Sequence, residues 1–306
     1  MIKKKILPIL LGLILMFAMM PMAASAEDGG TGHAGQDGWT EWSNETKLPS
    51  TEGKYYLTKD VTIRGTWNVP EGETTICLNG KTIKLAEGQS GNVILIGKGK
   101  RLTICDHSSG GNGCITGGNE RTAGGGVFNL GTFTMKGGII CGNTVGYYGG
   151  GVYNTSQSTF NMSGGIICDN TAESYGGGVF NASTIDNTSR GTFNMSGGSI
   201  SGNTAGKYGG GVVNEGIFNI GSGENEESEN ITISGNKTVT TVDAKAENVY
   251  LKQYDNKIHV NGKVSEDSKI GVTTKDEPSD QSSIVFTDGL SGKGKRRIRH
   301  MSEPGR

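Results

Sequence analysis

The sequence predicts an all-β chain wound as a parallel solenoid, and three observations carry that prediction. One hexapeptide occurs four times: GGGVFN at Gly124–Asn129, GGGVYN at Gly149–Asn154, GGGVFN at Gly176–Asn181 and GGGVVN at Gly209–Asn214. The copies start 25, 27 and 33 residues apart, which is the period of a stacked array of short units rather than of a compact domain. Composition agrees, with 53 glycines against 6 prolines in 306 residues and much of the glycine in register with the repeat.

Each coil, of about 25–27 residues, divides into three expected strands. The hexapeptide is the first. The second is GTFTM (Gly131–Met135), STFNM (Ser158–Met162), GTFNM (Gly191–Met195) or GIFNI (Gly216–Ile220). Its period of two sends Phe133, Phe160, Phe193 and Phe218 to one side, together with Met135, Met162, Met195 and Ile220. The third strand is GGIICGN, GGIICDN, GGSISGN or NITISGN, with Ile140, Ile167, Ile200 and Ile233 as its inward column. Val127, Val152, Val179 and Val212 complete the core, and glycines between strands permit tight corners. Asn129, Asn154, Asn181 and Asn214, and likewise Asn143, Asn170, Asn203 and Asn236, are expected to stack as amide ladders. Asn154, Asn161, Asn181 and Asn194 also begin N-x-S/T sequons, which are read as incidental.

Flanking segments carry the same short β-rich runs: Val61–Val69, Thr74–Leu85, Asn92–Gly97 and Arg101–Asp106 upstream, Glu247–Leu251 and Lys257–Val264 downstream. About ten coils at about 4.8 Å each are expected. The repeats proper span 124–238 within a helix over 51–238, and 239–290 continue or cap it. Residues 1–26 read as a signal peptide: Lys3, Lys4 and Lys5, an apolar run from Ile6 to Met20, and Ala24-Ser25-Ala26 as a cleavage site. Export and cleavage near Ala26 are therefore expected, with no transmembrane span in the mature chain. Residues 27–50 read as a polar lead and cap in which Trp39 and Trp42 cover the first coil, and 291–306 as a basic, disordered tail, truncated or native.

The cycle GGGVFN, GTFTM, GGIICGNT resembles the repeats of secreted right-handed parallel β-helix surface proteins of Gram-positive bacteria. It is similar to the polymorphic outer-membrane-protein type of repeat, whose signatures survive here as GGxV and as Phe160-Asn161 and Phe193-Asn194. DGWTEW (Asp37–Trp42), KYYLTKDVTI (Lys54–Ile63), ICLNGKTI (Ile76–Ile83) and KIGVTT (Lys269–Thr274) carry the likeness into the flanks, over roughly 37–290. The resemblance implies a right-handed parallel β-helix and an adhesin-like or scaffold role.

Parallel β-helices also host polysaccharide lyases and glycoside hydrolases, which gather carboxylates and a cation on one outward strand face. The repeated strands here offer Gly, Val, Asn, Thr and Ser instead. Asp169 stands where neighbouring coils have Gly142 and Gly202, and Asp186 and Arg190 lie in an eight-residue insertion expected to be a loop. Glu224, Glu226, Glu227 and Glu229 form a second insertion, also expected to be a solvated loop. Asp106-His107 reads as a turn, while His33, His259 and His300 are scattered. No Cys/His pairing has zinc spacing, so no metal, no cofactor and no catalytic set is expected. Cys77, Cys105, Cys114, Cys141 and Cys168 are odd in number; Cys141 and Cys168, replaced by Ser201 in the next repeat, read as a small packing slot. A net charge of −1 gives no reason to expect nucleic acid.

The expected binding feature is Tyr148, Tyr175 and Tyr208, each directly before a GGG, with Ala123 breaking the column. Their rings should stack along one corner and meet a polysaccharide or a host or cell-surface glycoprotein. The expected function is thus a secreted, non-enzymatic adhesin-like or scaffold protein. The alternatives are a lyase or hydrolase of the β-helix type and a structural stalk from a larger surface protein. Oligomeric state is not legible.

Overall fold

The computed structural model describes residue 33 and residues 37–239, 244–252, 256–274 and 287–288. The expected signal peptide, residues 27–32 and 34–36 of the lead, His300 and the basic tail lie outside them, as do the side chains of Glu224, Glu226 and Glu227. The described chain is a right-handed parallel β-helix with four sheets running along it. Sheet 1 has ten strands, from Trp39–Trp42 to Thr287–Asp288, and sheets 2, 3 and 4 have eight, six and eight.

One coil runs Thr132–Met135 in sheet 1, Ile139–Cys141 in sheet 2, Thr144–Val145 in sheet 3 and Val152–Asn154 in sheet 4. It returns to sheet 1 at Thr159–Met162, in register with the coil before: Phe133 with Phe160, Met135 with Met162. The expected three strands per coil are therefore four. The extra strand, Thr144–Val145, Thr171–Ala172 or Thr204–Ala205, is two residues long and too short to display a period. Among the described strands one neighbour runs backwards: Ala244–Ala246 pairs antiparallel with Lys237–Val239 and ends sheet 3.

The core is a set of columns, one residue deep. Phe133, Phe160, Phe193 and Phe218 are fully buried and stack face to face, with centroids 5.0, 4.8 and 4.7 Å apart. Each coil adds a buried Met or Ile, an Ile from sheet 2 and a Val from sheet 4. Two amide ladders close the corners. Asn129, Asn154, Asn181 and Asn214 are linked Nδ2 to Oδ1 at 2.7, 2.8 and 2.8 Å. Asn143, Asn170, Asn203 and Asn236 are linked at 2.9, 3.0 and 2.9 Å, and Asn248 extends this ladder at 3.1 Å. Each buried amide also donates to a backbone carbonyl, which satisfies groups the corner would otherwise strand. Asn154 and Asn181 are fully buried in these ladders.

The GGG corner needs glycine for two reasons. Gly124, Gly149, Gly176 and Gly209 have φ of 71, 68, 65 and 62°, in the left-handed region. The two glycines that follow have no room: a Cβ on Gly150 would lie 2.4 Å from the Gly177 carbonyl oxygen, and one on Gly151 2.7 Å from that of Gly178. Asp169 occupies a different left-handed corner (φ 53°), shared with Gly142 and Gly202, where an Asp is tolerated.

Trp39–Trp42 is itself the first strand of sheet 1, paired with Gly53–Leu57, and Trp42 packs against the core with its ring edge-on to Tyr55 at 5.6 Å. One expectation about a segment changes. The acidic insertion is not a loop as far as Glu227: Ile217–Glu227 is one long strand, bulged twice where it leaves register with Ile258–Lys263. The Asp186 insertion is a loop as read, closed by Thr184 N–H to Ser189 O at 2.8 Å, with Asp186 accepting from the Thr184 and Thr188 hydroxyls.

Candidate functional site

Alternation on sheet 4 turns Val127, Val152, Val179 and Val212 inward, so the next residue of each hexapeptide points out. Those residues are Phe128, Tyr153, Phe180 and Val213, followed in register by Tyr250. Their rings meet, Phe128 to Tyr153 at 5.2 Å and Tyr153 to Phe180 at 5.6 Å. This outward aromatic row was not recognised from the sequence, although F, Y, F, V at one position of the repeat is its signal.

Beside it runs the predicted tyrosine column. Ala123, Tyr148, Tyr175 and Tyr208 are bridged in parallel register. Tyr148 and Tyr175 stack at 5.6 Å, Tyr175 and Tyr208 at 6.0 Å, and Tyr208 continues onto Tyr250 at 4.5 Å. Tyr148 also meets Phe180 edge-on at 4.8 Å. The column is thus a second apolar cluster outside the core, packed across the GGG corner. Tyr148 and Tyr175 are half-buried, whereas Tyr208 and the neighbouring Tyr147 keep 44% and 54% of their surface exposed. Stacked rings cover one another's faces, so the column offers a ligand mainly ring edges and hydroxyl ends. Lys207 Nζ lies 5.4 Å from the Tyr175 ring centre and adds one positive charge.

The cysteines divide into two groups on outer faces. Cys141 is in register with Cys168 and its sulfur lies 2.7 Å from that of Cys114, on the outward side of sheet 2 opposite buried Ile140. The predicted packing slot is therefore not in the core; alternation places it outside, in line with Ser201 and Ser234. Hydrogen bonding from Cys114, with Cys168 acting in the same sense, lowers the Cys141 pKa.

Cys77 and Cys105 face each other in register on sheet 1, with His107 and His33 beside them, and the four candidate ligand atoms all lie within 4.8 Å of one another. Spacing in the sequence gave no hint of this set, because Cys77 lies 44 positions after His33 and Cys105 a further 28 positions on. Hydrogen bonding from Cys105 brings the Cys77 thiol down to about 6, with His107 acting in the same sense against the effect of burial. Asp106 is the turn residue it was read as: its carboxylate accepts from the N–H groups of Gly80, Ser108 and Gly113.

The catalytic candidates are not brought together: Asp169 is a corner, Asp186 is an exposed loop residue, and Arg190 bridges Ser183 in the same loop. The outer columns of sheet 1 are Thr132, Thr159 and Thr192, and Thr134, Asn161, Asn194 and Asn219. Among the described residues no helix is long and apolar enough to cross a membrane. No family model, curated protein or solved structure matches the chain.

Proposed function

We propose that this chain is a secreted or surface-displayed, non-catalytic β-helical protein, adhesin-like, that binds a polysaccharide or the glycan of a surface glycoprotein along its tyrosine corner. The observation that carries the reading is the continuous stack Tyr148–Tyr175–Tyr208–Tyr250, backed by Phe180. A repeated phenol edge, offered once per coil along a straight column, suits a ligand that is itself a repeating polymer lying parallel to the axis. Phenol hydroxyls donate and accept, and ring edges add apolar contact, the combination that sugars use. The lysine at the column's edge favours a glycan bearing carboxylate or sulfate.

The test is retention of the purified protein on an array of polysaccharides, read together with released sugar ends in the same wells. Retention without release is the expected result. Replacing Tyr148, Tyr175 and Tyr208 together with Ala should lower retention at least tenfold, with the far-UV circular dichroism unchanged. The Tyr→Phe triple variant should lose part of it, since the ring edges remain. Retention unchanged in the Ala variant would sink the site, and release of sugar ends would overturn the non-catalytic reading. Silence in both channels would leave the stalk reading in its place.

A further inference from the structure

We propose that His33, Cys77, Cys105 and His107 form a structural zinc site that fastens the segment before the first strand to the outside of the third and fourth coils. Sheet 1 begins Trp39–Trp42, Gly53–Leu57, Glu73–Cys77, Arg101–Cys105, so Cys77 and Cys105 end consecutive strands, paired residue for residue. Ile76 and Ile104 point into the core, and alternation sends both sulfurs outward. An outward side chain on a solenoid is ordinarily wet, yet Cys77 is fully buried and Cys105 is only 4% exposed. They are covered by Tyr56, Trp39 and His33, which lies flat on Trp39 with 3.4 Å between ring centres. The chain has therefore built a lid over two thiols.

The imidazoles complete a converging set. His107 Nδ1 lies 2.6 Å from His33 Nε2 and 3.8 Å from the Cys77 sulfur. The turn that carries His107 is fixed by the three N–H groups held on Asp106, so this ring is positioned before any ligand arrives. Two thiols and two imidazoles are the donor set of closed, four-coordinate zinc sites. Two thiolates cancel the charge of the dication, so the loaded site is neutral and tolerates the burial seen here. With Zn–N bonds of about 2.0–2.1 Å, a tetrahedral site wants its two nitrogens about 3.3 Å apart, so the two rings separate by less than an ångström on loading. A Cys77–Cys105 disulfide, the other chemistry open to paired thiols, gives no reason for two imidazole nitrogens to converge on the same point. With four protein donors no position is left for substrate, and the role is to stitch the N-terminal lead to the solenoid.

The experiment is cobalt titration of the purified, reduced, metal-free protein, followed by displacement with zinc. Expected is one equivalent of cobalt per chain, with thiolate-to-cobalt charge transfer and tetrahedral d–d bands that zinc abolishes. C77S and C105S should remove the bands, and H107A should weaken cobalt binding at least tenfold. His107 is exposed, so that variant should fold even if the cysteine variants do not. C141S, in the other sulfur group, should titrate like the wild type. Zinc should raise the melting temperature of the wild type and of C141S but not of C77S. The proposal is overturned if the reduced protein gives no thiolate bands, if the bands survive C77S or vanish in C141S, or if the isolated protein holds a Cys77–Cys105 disulfide and no zinc.

Discussion

The coils before Asn119 and the repeats from Gly124 to Asn236 share sheets 1, 2 and 4, sheet 3 beginning only at Asn119–Glu120, and the two regions are held together by different means. In the repeats every coil adds the same layers: one Phe on the stack, one rung on each amide ladder, one GGG corner. In the earlier coils the layers are apolar but unmatched, and single contacts take the place of ladders. Trp67 Nε1 donates to Pro49 O at 2.9 Å, Asn79 Nδ2 to Leu57 O at 3.0 Å, and Lys100 Nζ to Val69 O at 2.9 Å. Stability in a solenoid is close to a sum of unit and neighbour terms, so both arrangements give a continuous core. The repeats reuse one solution, whereas each early coil has its own.

The sharpest way to break this comparison is to remove a rung from the stack. Phe160→Ala should cost about 3–5 kcal/mol, because the cavity left is walled by rings on both sides. Phe193→Ala should cost the same within about 0.5 kcal/mol, as measured by urea unfolding. A difference above about 1 kcal/mol would show that the repeats are not equivalent.

The end of the repeat block should behave unlike its interior. Gly124, Gly149 and Gly176 donate their N–H to the carbonyls of Tyr148, Tyr175 and Tyr208, but Gly209 donates to the Glu247 carboxylate at 2.6 Å. Burial raises the Glu247 pKa to about 7 from an ordinary value of 4.5, although the Gly209 hydrogen bond and Lys245 oppose it. A raised pKa means the folded state holds the proton more tightly. The associated stability is therefore full below about pH 4.5 and is lost as pH rises through about 7, by roughly 3 kcal/mol. Thermal unfolding across that range should show the fall, and Glu247→Gln should flatten it.

The smallest effect belongs to the early coils. Trp67→Phe removes the donor to Pro49 and leaves the ring's apolar body, at a cost of about 1–2 kcal/mol in the same urea measurement. A cost equal to that of Phe160→Ala would mean that single contacts there carry as much as a full repeat layer.

The repeats were legible because period and chemistry coincide: Phe133, Ile140, Val152 and Asn143 recur at fixed places, and each place has one role. The short strand Thr144–Val145 was not, since two residues cannot show alternation. The tyrosine column was visible because each ring precedes a GGG, whereas the row behind it varies as Phe, Tyr, Phe and Val and Tyr250 lies outside the hexapeptide. The cysteines misled for the opposite reason. Recurrence of Cys141 and Cys168 suggested packing, but the parity of the strand puts them outside, beside a buried Ile140. His33, Cys77, Cys105 and His107 were hidden because coil length, not residue spacing, determines which turns lie side by side.

The reversed strand Ala244–Ala246 bears on self-association. A stack of parallel coils invites another copy to dock on its open end and grow a filament, since each terminal strand repeats the pattern of the one before. At sheet 3 the backward strand breaks that pattern, while the chain goes on to add strands to the other three sheets. Sheet 3 is also absent from the described coils before Asn119, so it is closed at its far edge by a strand of the wrong direction, and it is no part of the face that either end of the described solenoid offers another copy.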